Sequence, residues 1–84
     1  MRQPIRFVTT SECLLCERGL TAVSRAAALF RMDVDVVDVG ASADYAVYAE
    51  RLPVVLSDGE VIAEGRIRSS SVLAALAKRR LLRS

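Results

Sequence analysis

The stretch IRFVTTSECLLCE, residues 5–17, places two cysteines, Cys13 and Cys16, between two different sequence patterns. Residues 5–10, before the pair, are rich in β-branched and aromatic side chains, which predicts a strand. The residues after the pair repeat apolar side chains at helical spacing, which predicts a helix. The cysteine pair is therefore predicted to follow a strand directly and to lie at the start of a helix.

This position predicts reactive cysteines. Two thiols three residues apart at a helix start lie on one face, close enough to form a disulfide. Cys13 lies where unpaired backbone N–H groups and the helix dipole favour negative charge. Because the thiolate is the nucleophilic form of cysteine, the pattern favours thiol–disulfide exchange, with Cys13 nearer the helix N-terminus than Cys16.

Other interpretations of the pair remain open from the residues alone. Both cysteines would serve equally as small buried apolar residues. A purely stabilising disulfide is a weaker interpretation, because a bridge across two intervening residues closes almost no loop. With two cysteines and no histidine, one chain cannot supply the usual four zinc ligands, so a metal requires a dimer or an external ligand. Attachment of haem needs histidine after the second cysteine, where Glu17 stands.

The composition is that of one globular domain, residues 1–84. A hydrophobic fraction of 52% suffices for a small core, and a net charge of +2 does not indicate a nucleic-acid partner. The longest apolar run, residues 26–30, is too short to cross a membrane, and residues 1–4 lack the apolar stretch of a signal peptide. We therefore expect a cytoplasmic protein, and in that reducing compartment a cysteine pair is more often catalytic than structural.

The remaining patterns predict four strands and three helices. The strands are expected at residues 5–10, 34–39, 54–56 and 61–63, and the helices from the cysteine pair to about Met32, over residues 43–50, and after the serines 69–71. The predicted helix caps are Thr10 or Ser11, then Ser42, then one of the serines 69–71. Asp58-Gly59 is a strong hairpin signal, and the first strand–helix–strand unit implies parallel pairing. The basic cluster Lys78-Arg79-Arg80 is interpreted as cations that complement a helix C-terminus.

This order of elements, with a cysteine pair after the first strand and Pro53 opening the third, resembles the thioredoxin fold. The size resembles the glutaredoxins, and in particular the small glutaredoxin-like proteins of bacteria. Three segments carry the resemblance: residues 11–17, 48–55 and 58–61. The resemblance covers nearly the whole chain and implies an α/β fold of order β-α-β-α-β-β-α, with a four-stranded mixed sheet flanked by three helices.

The resemblance also implies roles for individual residues. Cys13 corresponds to the nucleophile that attacks the substrate disulfide, and Cys16 to the resolving thiol. Pro53 corresponds to a cis-proline that lies against the active-site sulfurs. A bent chain there would leave the Leu52 backbone free to pair with an extended peptide substrate.

The sequence departs from the glutaredoxin pattern at the glutathione site. Ala63–Ile67 stands where the family caps the γ-glutamyl group, and Gly65 is its single match, so specific glutathione recognition is not expected. Arg51, Arg66 and the helix start at Ser69 would together suit a small anion, since helix N-termini bind anions. The alternative is that both arginines are ordinary solvated surface. The expected substrate-binding set is Arg51, Leu52, Pro53, Gly65 and Arg66.

The neighbours of the cysteines favour a reductant over a strong oxidant. Carboxylates at Glu12 and Glu17 disfavour a nearby thiolate and oppose the helix dipole. Less stabilisation of the reduced form makes a more reducing couple. The apolar pair Leu14-Leu15 either contacts a protein substrate or packs inward.

The sequence thus predicts a monomeric thiol–disulfide oxidoreductase acting on protein disulfides or glutathione mixed disulfides through Cys13 and Cys16. We expect this protein to have no tightly bound cofactor and no metal. We expect glutathione or a reductase to reduce it. Neither nucleic acid nor a membrane is an expected partner. The alternatives are a redox-inactive adaptor with the same fold, and a homodimer that binds a metal or an iron–sulfur cluster.

Overall fold

Two strands rich in valine, isoleucine and phenylalanine form the centre of a four-stranded sheet. The computed structural model describes residues 4–83, with side chains described as far as Leu81. The strands are β1 (Ile5–Thr9), β2 (Val34–Asp38), β3 (Val54–Ser57) and β4 (Glu60–Glu64). They lie in the order β2-β1-β3-β4, with β1 parallel to β2 and antiparallel to β3, and β3 antiparallel to β4. The mixed sheet predicted from the sequence is confirmed.

Two α-helices and two short 3₁₀ segments connect and follow the strands. They are α1 (Leu14–Leu29), the 3₁₀ segments Val39–Ala41 and Ala43–Tyr48, and α2 (Ser69–Arg83). Three helical regions are therefore present as predicted, but the middle one is 3₁₀ and ends at Tyr48, two residues short of Glu50. Within residues 4–83, no helix combines the length and the apolar character needed to cross a bilayer.

Polar side chains divide the middle region into short turns. The Asp38 carboxylate accepts a hydrogen bond from the Gly40 N–H at 2.7 Å. The Ser42 hydroxyl accepts one from the Asp44 N–H at 3.2 Å, so Ser42 is the predicted cap. Aspartate and serine side chains that bond locally in this way compete with longer helical hydrogen-bonding patterns.

The helices cover one face of the sheet. Ile5 and Phe7 of β1 and Val55 of β3 point to this face, because alternate residues of a strand point to the same side. They join buried side chains from both helices in one cluster. The helical members are Cys16, Val23, Ala26, Ala27, Val72 and Leu76. One of the two cysteines is therefore part of the main hydrophobic core.

The opposite face has a smaller core beneath the 3₁₀ region. Val8 of β1 and Val54 and Leu56 of β3 are buried there. Tyr45 and Tyr48 pack against them while staying partly exposed. The central strands are thus covered on both sides, and the helix-covered side carries more of the buried apolar surface.

Helix α1 ends at Leu29, whereas the sequence predicts a helix to about Met32. Arg31 has a left-handed backbone with φ of 54°. Its N–H donates to the Ala28 carbonyl at 3.1 Å, and the Met32 N–H donates to the Ala27 carbonyl at 2.9 Å. This pair of bonds is the Schellman arrangement, which most often has glycine at the left-handed position. Because arginine stands there, the sequence gives no signal for the end of the helix.

Helix α2 begins at Ser69, so the serines 69–71 form its first turn and do not precede it. The Arg68 carbonyl accepts hydrogen bonds from the Ser71 and Val72 N–H groups, both at 3.1 Å. Arg68 therefore stands before the helix, in the place where the sequence predicts a serine cap.

Arg79 connects α2 to the turn between β3 and β4. Its guanidinium donates to the Glu60 carboxylate at 2.9 Å and to the Asp58 carboxylate at 3.3 Å. The turn has positive φ at Asp58 (52°) and Gly59 (81°), as a type I′ hairpin requires. The basic C-terminal segment thus provides a tertiary ion pair in addition to the cations predicted for a helix end.

Gly19 allows α1 to approach the sheet closely. It is buried, and a Cβ placed on it would lie 3.2 Å from Pro53 Cγ and 3.4 Å from both Ile67 Cδ1 and Phe7 Cζ. Optimal contacts between carbon atoms are about 3.5–4.0 Å, so even one added carbon is crowded. Glycine at this position therefore sets the spacing between α1 and Pro53.

We expect Gly19→Val to destabilise the fold by about 1–3 kcal/mol, because its branched side chain overpacks the space between α1 and Pro53. Ser24→Val is the matched control on the exposed side of the same helix. It should change the free energy of unfolding by less than about 0.5 kcal/mol. Urea denaturation measures both, and equal stabilities of the two variants would contradict the packing argument.

Arg31→Gly should stabilise the protein by about 0.5–1 kcal/mol, because glycine adopts the left-handed backbone without a Cβ penalty. Arg25→Gly, within α1, should instead destabilise by about 1 kcal/mol, the usual cost of glycine in a helix interior. Thermal and urea unfolding of the two variants distinguish these effects. If both substitutions destabilise, the helix end does not depend on the Arg31 backbone.

Candidate active site

Cys13 and Cys16 form a disulfide at the start of α1. Their Cα atoms are 5.1 Å apart. Cys13 is the N-cap residue, with an extended backbone (φ −119°, ψ 108°), and Cys16 lies within the first turn. The pair is thus placed where the sequence predicts it, at the junction of a strand, a short loop and a helix.

The sulfur of Cys13 takes the place of the usual capping oxygen. Its Sγ accepts a hydrogen bond from the Cys16 N–H at 3.1 Å. The sequence predicts Thr10 or Ser11 as the cap, and this is wrong by two or three residues. Residues 11 and 12 instead form a turn in which Glu12 has φ of 56°, so the chain becomes helical only after Cys13.

The hydrogen bond that caps the helix favours the thiolate form of Cys13. The first N–H groups of a helix have no partner within the helix and carry the positive end of its dipole. One of them points at Cys13 Sγ, where negative charge develops when the disulfide is reduced. An N–H donor aimed at a thiolate favours the charged form. Cys13 therefore lies where its thiolate is stabilised by the backbone.

The two cysteines differ strongly in exposure. Cys16 is 3% exposed and belongs to the main core, whereas Cys13 is only partly buried at the edge of that core. An external disulfide can reach the sulfur at the helix end more readily than the one beneath it. The environment thus separates an accessible thiol from a shielded one.

The two residues between the cysteines point outward. Leu14 is 61% exposed and Leu15 is 44% exposed. Of the two orientations left open by the sequence, the structure has the exposed one. It places apolar surface immediately beside Cys13.

A depression of about 230 Å³ opens beside the disulfide. It is formed by the end of β1, the connecting loop and the first turns of α1. Its lining residues are Phe7, Thr9, Thr10, Ser11, Glu12, Cys13, Cys16, Glu17 and Leu20. Two carboxylate residues therefore line the same depression as both cysteines. The sequence identified the two glutamates as neighbours of the pair, but it gave no signal for the depression.

Three of the predicted substrate-binding residues lie together at the head of β3. The Leu52–Pro53 peptide bond is cis. The Gly65 N–H donates to the Pro53 carbonyl at 2.8 Å, and Gly65 has φ of 68°. Pro53 also packs against Gly19, which lies one helical turn beyond Cys16. Sequence reasoning did not single out Gly19, because glycine inside a helix carries no distinctive signal.

The two predicted arginines have different surroundings. Arg51 forms an ion pair with Glu64 at 3.2 Å, and its guanidinium lies over the Tyr48 ring, 5.4 Å from the centroid. Arg66 is exposed. Neither arginine lines the depression beside the cysteines. The positive charge of Arg51 is thus already matched by a carboxylate.

In the part of the chain that the structure describes, no group of three or more histidine, cysteine or carboxylate residues is arranged to hold a metal ion. A cluster built on Cys13 and Cys16 would need ligands from a second chain or an external thiol. The iron–sulfur alternative therefore remains a hypothesis about a dimer.

The difference in exposure predicts a difference in reactivity. In the reduced protein near neutral pH, iodoacetamide should modify Cys13 at least about tenfold faster than Cys16, because Cys13 is accessible and capped by an N–H donor. Peptide mass spectrometry after timed quenching measures both rates. In concentrated urea the two rates should become similar, which provides the control. Faster modification of Cys16 in the folded protein would reverse the roles assigned to the two thiols.

Three solved structures have a fold similar to that of this chain. Protein XcR50 from X. campestris, a structural genomics target, is 20% identical with a TM-score of 0.73, over 88% of this chain and 96% of that one. Thioredoxin 1 from the thermophilic eubacterium Thermosipho africanus TCF52B is 20% identical with a TM-score of 0.70, over 96% and 98%. A malarial protein is 17% identical with a TM-score of 0.62, over 88% and 92%. No protein-family model and no curated protein sequence matches the chain. The likeness over nearly full lengths shows that this chain has the thioredoxin fold.

Proposed function

We propose that the protein is a thiol–disulfide oxidoreductase that reduces disulfides in other proteins. The observation that carries the proposal is the arrangement of the two sulfurs: Cys13 Sγ accepts the Cys16 N–H at the helix end, and Cys16 is buried behind it. Cys13 is the nucleophile and Cys16 the resolving thiol in this proposal. The thioredoxin fold of the chain and the position of Pro53 beside α1 support it.

The proposed reaction begins from the dithiol form. The Cys13 thiolate attacks one sulfur of the substrate disulfide, so that a Cys13–substrate bond forms and the substrate S–S bond breaks. The other substrate sulfur leaves as a thiolate and takes up a proton. Cys16 then loses its proton and attacks Cys13 Sγ, which forms the Cys13–Cys16 bond and releases the second substrate sulfur. The substrate gains two electrons and two protons, and the protein is left oxidised.

The oxidised protein must then be reduced by an external donor. A low-molecular-weight thiol such as glutathione, or a dithiol reductase such as thioredoxin reductase, supplies two electrons and two protons. No bound cofactor is needed, because both sulfurs of the exchange belong to the chain. We propose that the protein acts as a monomer in a reducing compartment, the cytoplasm, where such donors are present.

The direction of the reaction follows from the local charges. Glu12 and Glu17 line the depression beside Cys13, and their carboxylates disfavour an adjacent thiolate. The backbone N–H at Cys13 Sγ acts in the opposite sense. Because the carboxylates offset part of the stabilisation that the N–H gives to the thiolate, we propose a couple that is more reducing than the same helix cap without them, which favours a reductant over a strong oxidant.

The substrate backbone is proposed to lie along the Leu52–Pro53 segment. Leu52 is partly buried at the point where the two hydrophobic cores meet, and Pro53 carries no N–H to compete for partners. An extended peptide that pairs with the Leu52 backbone would lie next to α1, where the cysteines are. Arg51 is held by Glu64 and by the Tyr48 ring, so in this proposal it borders the peptide and does not bind a free anion.

The distinct roles of the cysteines predict different phenotypes. Cys13→Ser should lower the reduction of a disulfide-bonded reporter protein to the uncatalysed rate, because the attacking sulfur is lost. Cys16→Ser should accumulate a covalent adduct between Cys13 and the substrate, because the resolving thiol is absent. Non-reducing electrophoresis and mass spectrometry detect the adduct, and circular dichroism verifies that both variants are folded.

Other results would contradict the proposal. If folded, fully reduced protein leaves the reporter disulfide intact, an adaptor role replaces the enzymatic one. A purified dimer with half an equivalent of zinc per chain, or with the visible absorption band of an iron–sulfur cluster, would favour the metal-binding alternative.

A further inference from the structure

The surface around Cys13 combines exposed apolar and negatively charged groups. Leu14 and Leu15 are 61% and 44% exposed, whereas Leu20 and Val23 of the same helix belong to or pack against the core. Glu12 precedes Cys13, and Glu17 follows one turn later, and both line the depression that contains the two sulfurs. Exposed leucine side chains and two glutamates therefore lie beside the accessible sulfur in sequence and in the fold.

No cation among the described side chains pairs with the carboxylates of this surface. Among the residues whose side chains the structure describes, neither the Glu12 nor the Glu17 carboxylate forms an ion pair or a side-chain hydrogen bond. Arg18, next to Glu17, is exposed and is not paired with it. Arg51, the cation predicted for the site, pairs with Glu64 instead. The two carboxylates are therefore available to an incoming partner.

We propose that the preferred substrate is a protein disulfide flanked by apolar residues and by lysine or arginine. This inference rests on the proposed disulfide reductase function and specifies its substrate class. Cationic side chains beside the substrate disulfide complement Glu12 and Glu17, and apolar side chains cover Leu14 and Leu15. Complementary charge raises the rate of encounter, whereas like charge suppresses the wrong partners.

The same surface disfavours small anionic disulfides. Glutathione disulfide carries carboxylates that would approach Glu12 and Glu17, and no arginine or lysine lines the depression to offset the repulsion. Specificity in this proposal therefore arises from repulsion as well as attraction.

Two disulfide peptides of equal length test the proposal. Both carry leucine beside the disulfide, and they differ in having lysine or glutamate at the flanking positions. The rate of reduction by stoichiometric, fully reduced protein is followed by quenched chromatography. At about 10 mM salt, where charges act over a long range, we expect the lysine peptide to react about tenfold faster than the glutamate peptide. At about 1 M salt the ratio should approach one.

Variants identify the residues responsible. The double substitution Glu12→Gln/Glu17→Gln should bring the ratio of the two rates close to one at low salt. Any general increase in Cys13 reactivity cancels in this ratio, because it affects both peptides equally. Asp33→Asn is the control. It removes an exposed negative charge beyond the opposite end of α1 and should leave the ratio of the two rates unchanged.

The apolar part is tested in the same assay. Leu14→Ser should slow the reduction of the leucine-flanked lysine peptide by about tenfold, whereas Leu29→Ser, at the far end of the helix, should leave the rate unchanged. Leu29 is 72% exposed and thus matches Leu14 in exposure.

The outcomes distinguish an error in the proposed substrate class from an error in the proposed reductase function. If both peptides are reduced at equal rates at low salt, the substrate class is wrong and the reductase function stands. If the ratio persists in the double variant, Glu12 and Glu17 do not determine it, and the inference is overturned. If the reduced protein acts on neither peptide nor on the reporter protein, the reductase function itself fails, and the substrate class fails with it.

Discussion

The contact between Gly19 and Pro53 is the constraint on which the site depends. The helix that carries the cysteines can lie close to the head of β3 only because position 19 has no side chain. The same close approach keeps Cys16 within the core formed by Phe7 and the other buried residues of this face. A wider gap would lift the first turn of α1 from the sheet and expose the second sulfur. The difference between an accessible and a shielded thiol is thus a consequence of helix–sheet spacing.

The strands and their order along the chain could be predicted from the sequence, because their signals are local. Alternating valines, the Asp58-Gly59 turn and the strand–helix–strand unit each specify a conformation within a few residues. The ends of α1 could not be predicted in the same way. Both are set by residues with left-handed backbones, Glu12 and Arg31, whereas the usual signal for such a conformation is glycine or asparagine. Neither position carries the residue type that signals such a backbone, so single-sequence patterns do not indicate these two conformations.

The residues of the site also differ in how far a local sequence pattern predicts them. The cysteine pair was identifiable because its chemistry depends on spacing and on residue type, whereas Pro53 was assigned to the site by the resemblance to the glutaredoxins. The ion pair of Arg51 with Glu64 was not, since the pairing of β4 with β3 brings Glu64 to it from a distant part of the sequence. The outward direction of Leu14 was likewise undetermined, because the first turn of a helix has both buried and exposed sides. Long-range packing, which a local pattern cannot describe, decides whether a predicted binding residue is free or already occupied.

The burial of Cys16 connects the redox properties of the pair to the stability of the whole domain. The oxidised and reduced chains, each folded or unfolded, form a closed thermodynamic cycle of four states. In such a cycle, the extent to which folding favours the disulfide equals the extent to which the disulfide favours folding. Because Val23 and Val72 share the core with Cys16, a substitution at either residue changes both quantities together whenever it affects the folded oxidised and folded reduced forms unequally. The reduction potential of the cysteine pair therefore depends on the surrounding core as well as on the two cysteines. Evolution can adjust this potential without altering either cysteine or any residue that touches a substrate.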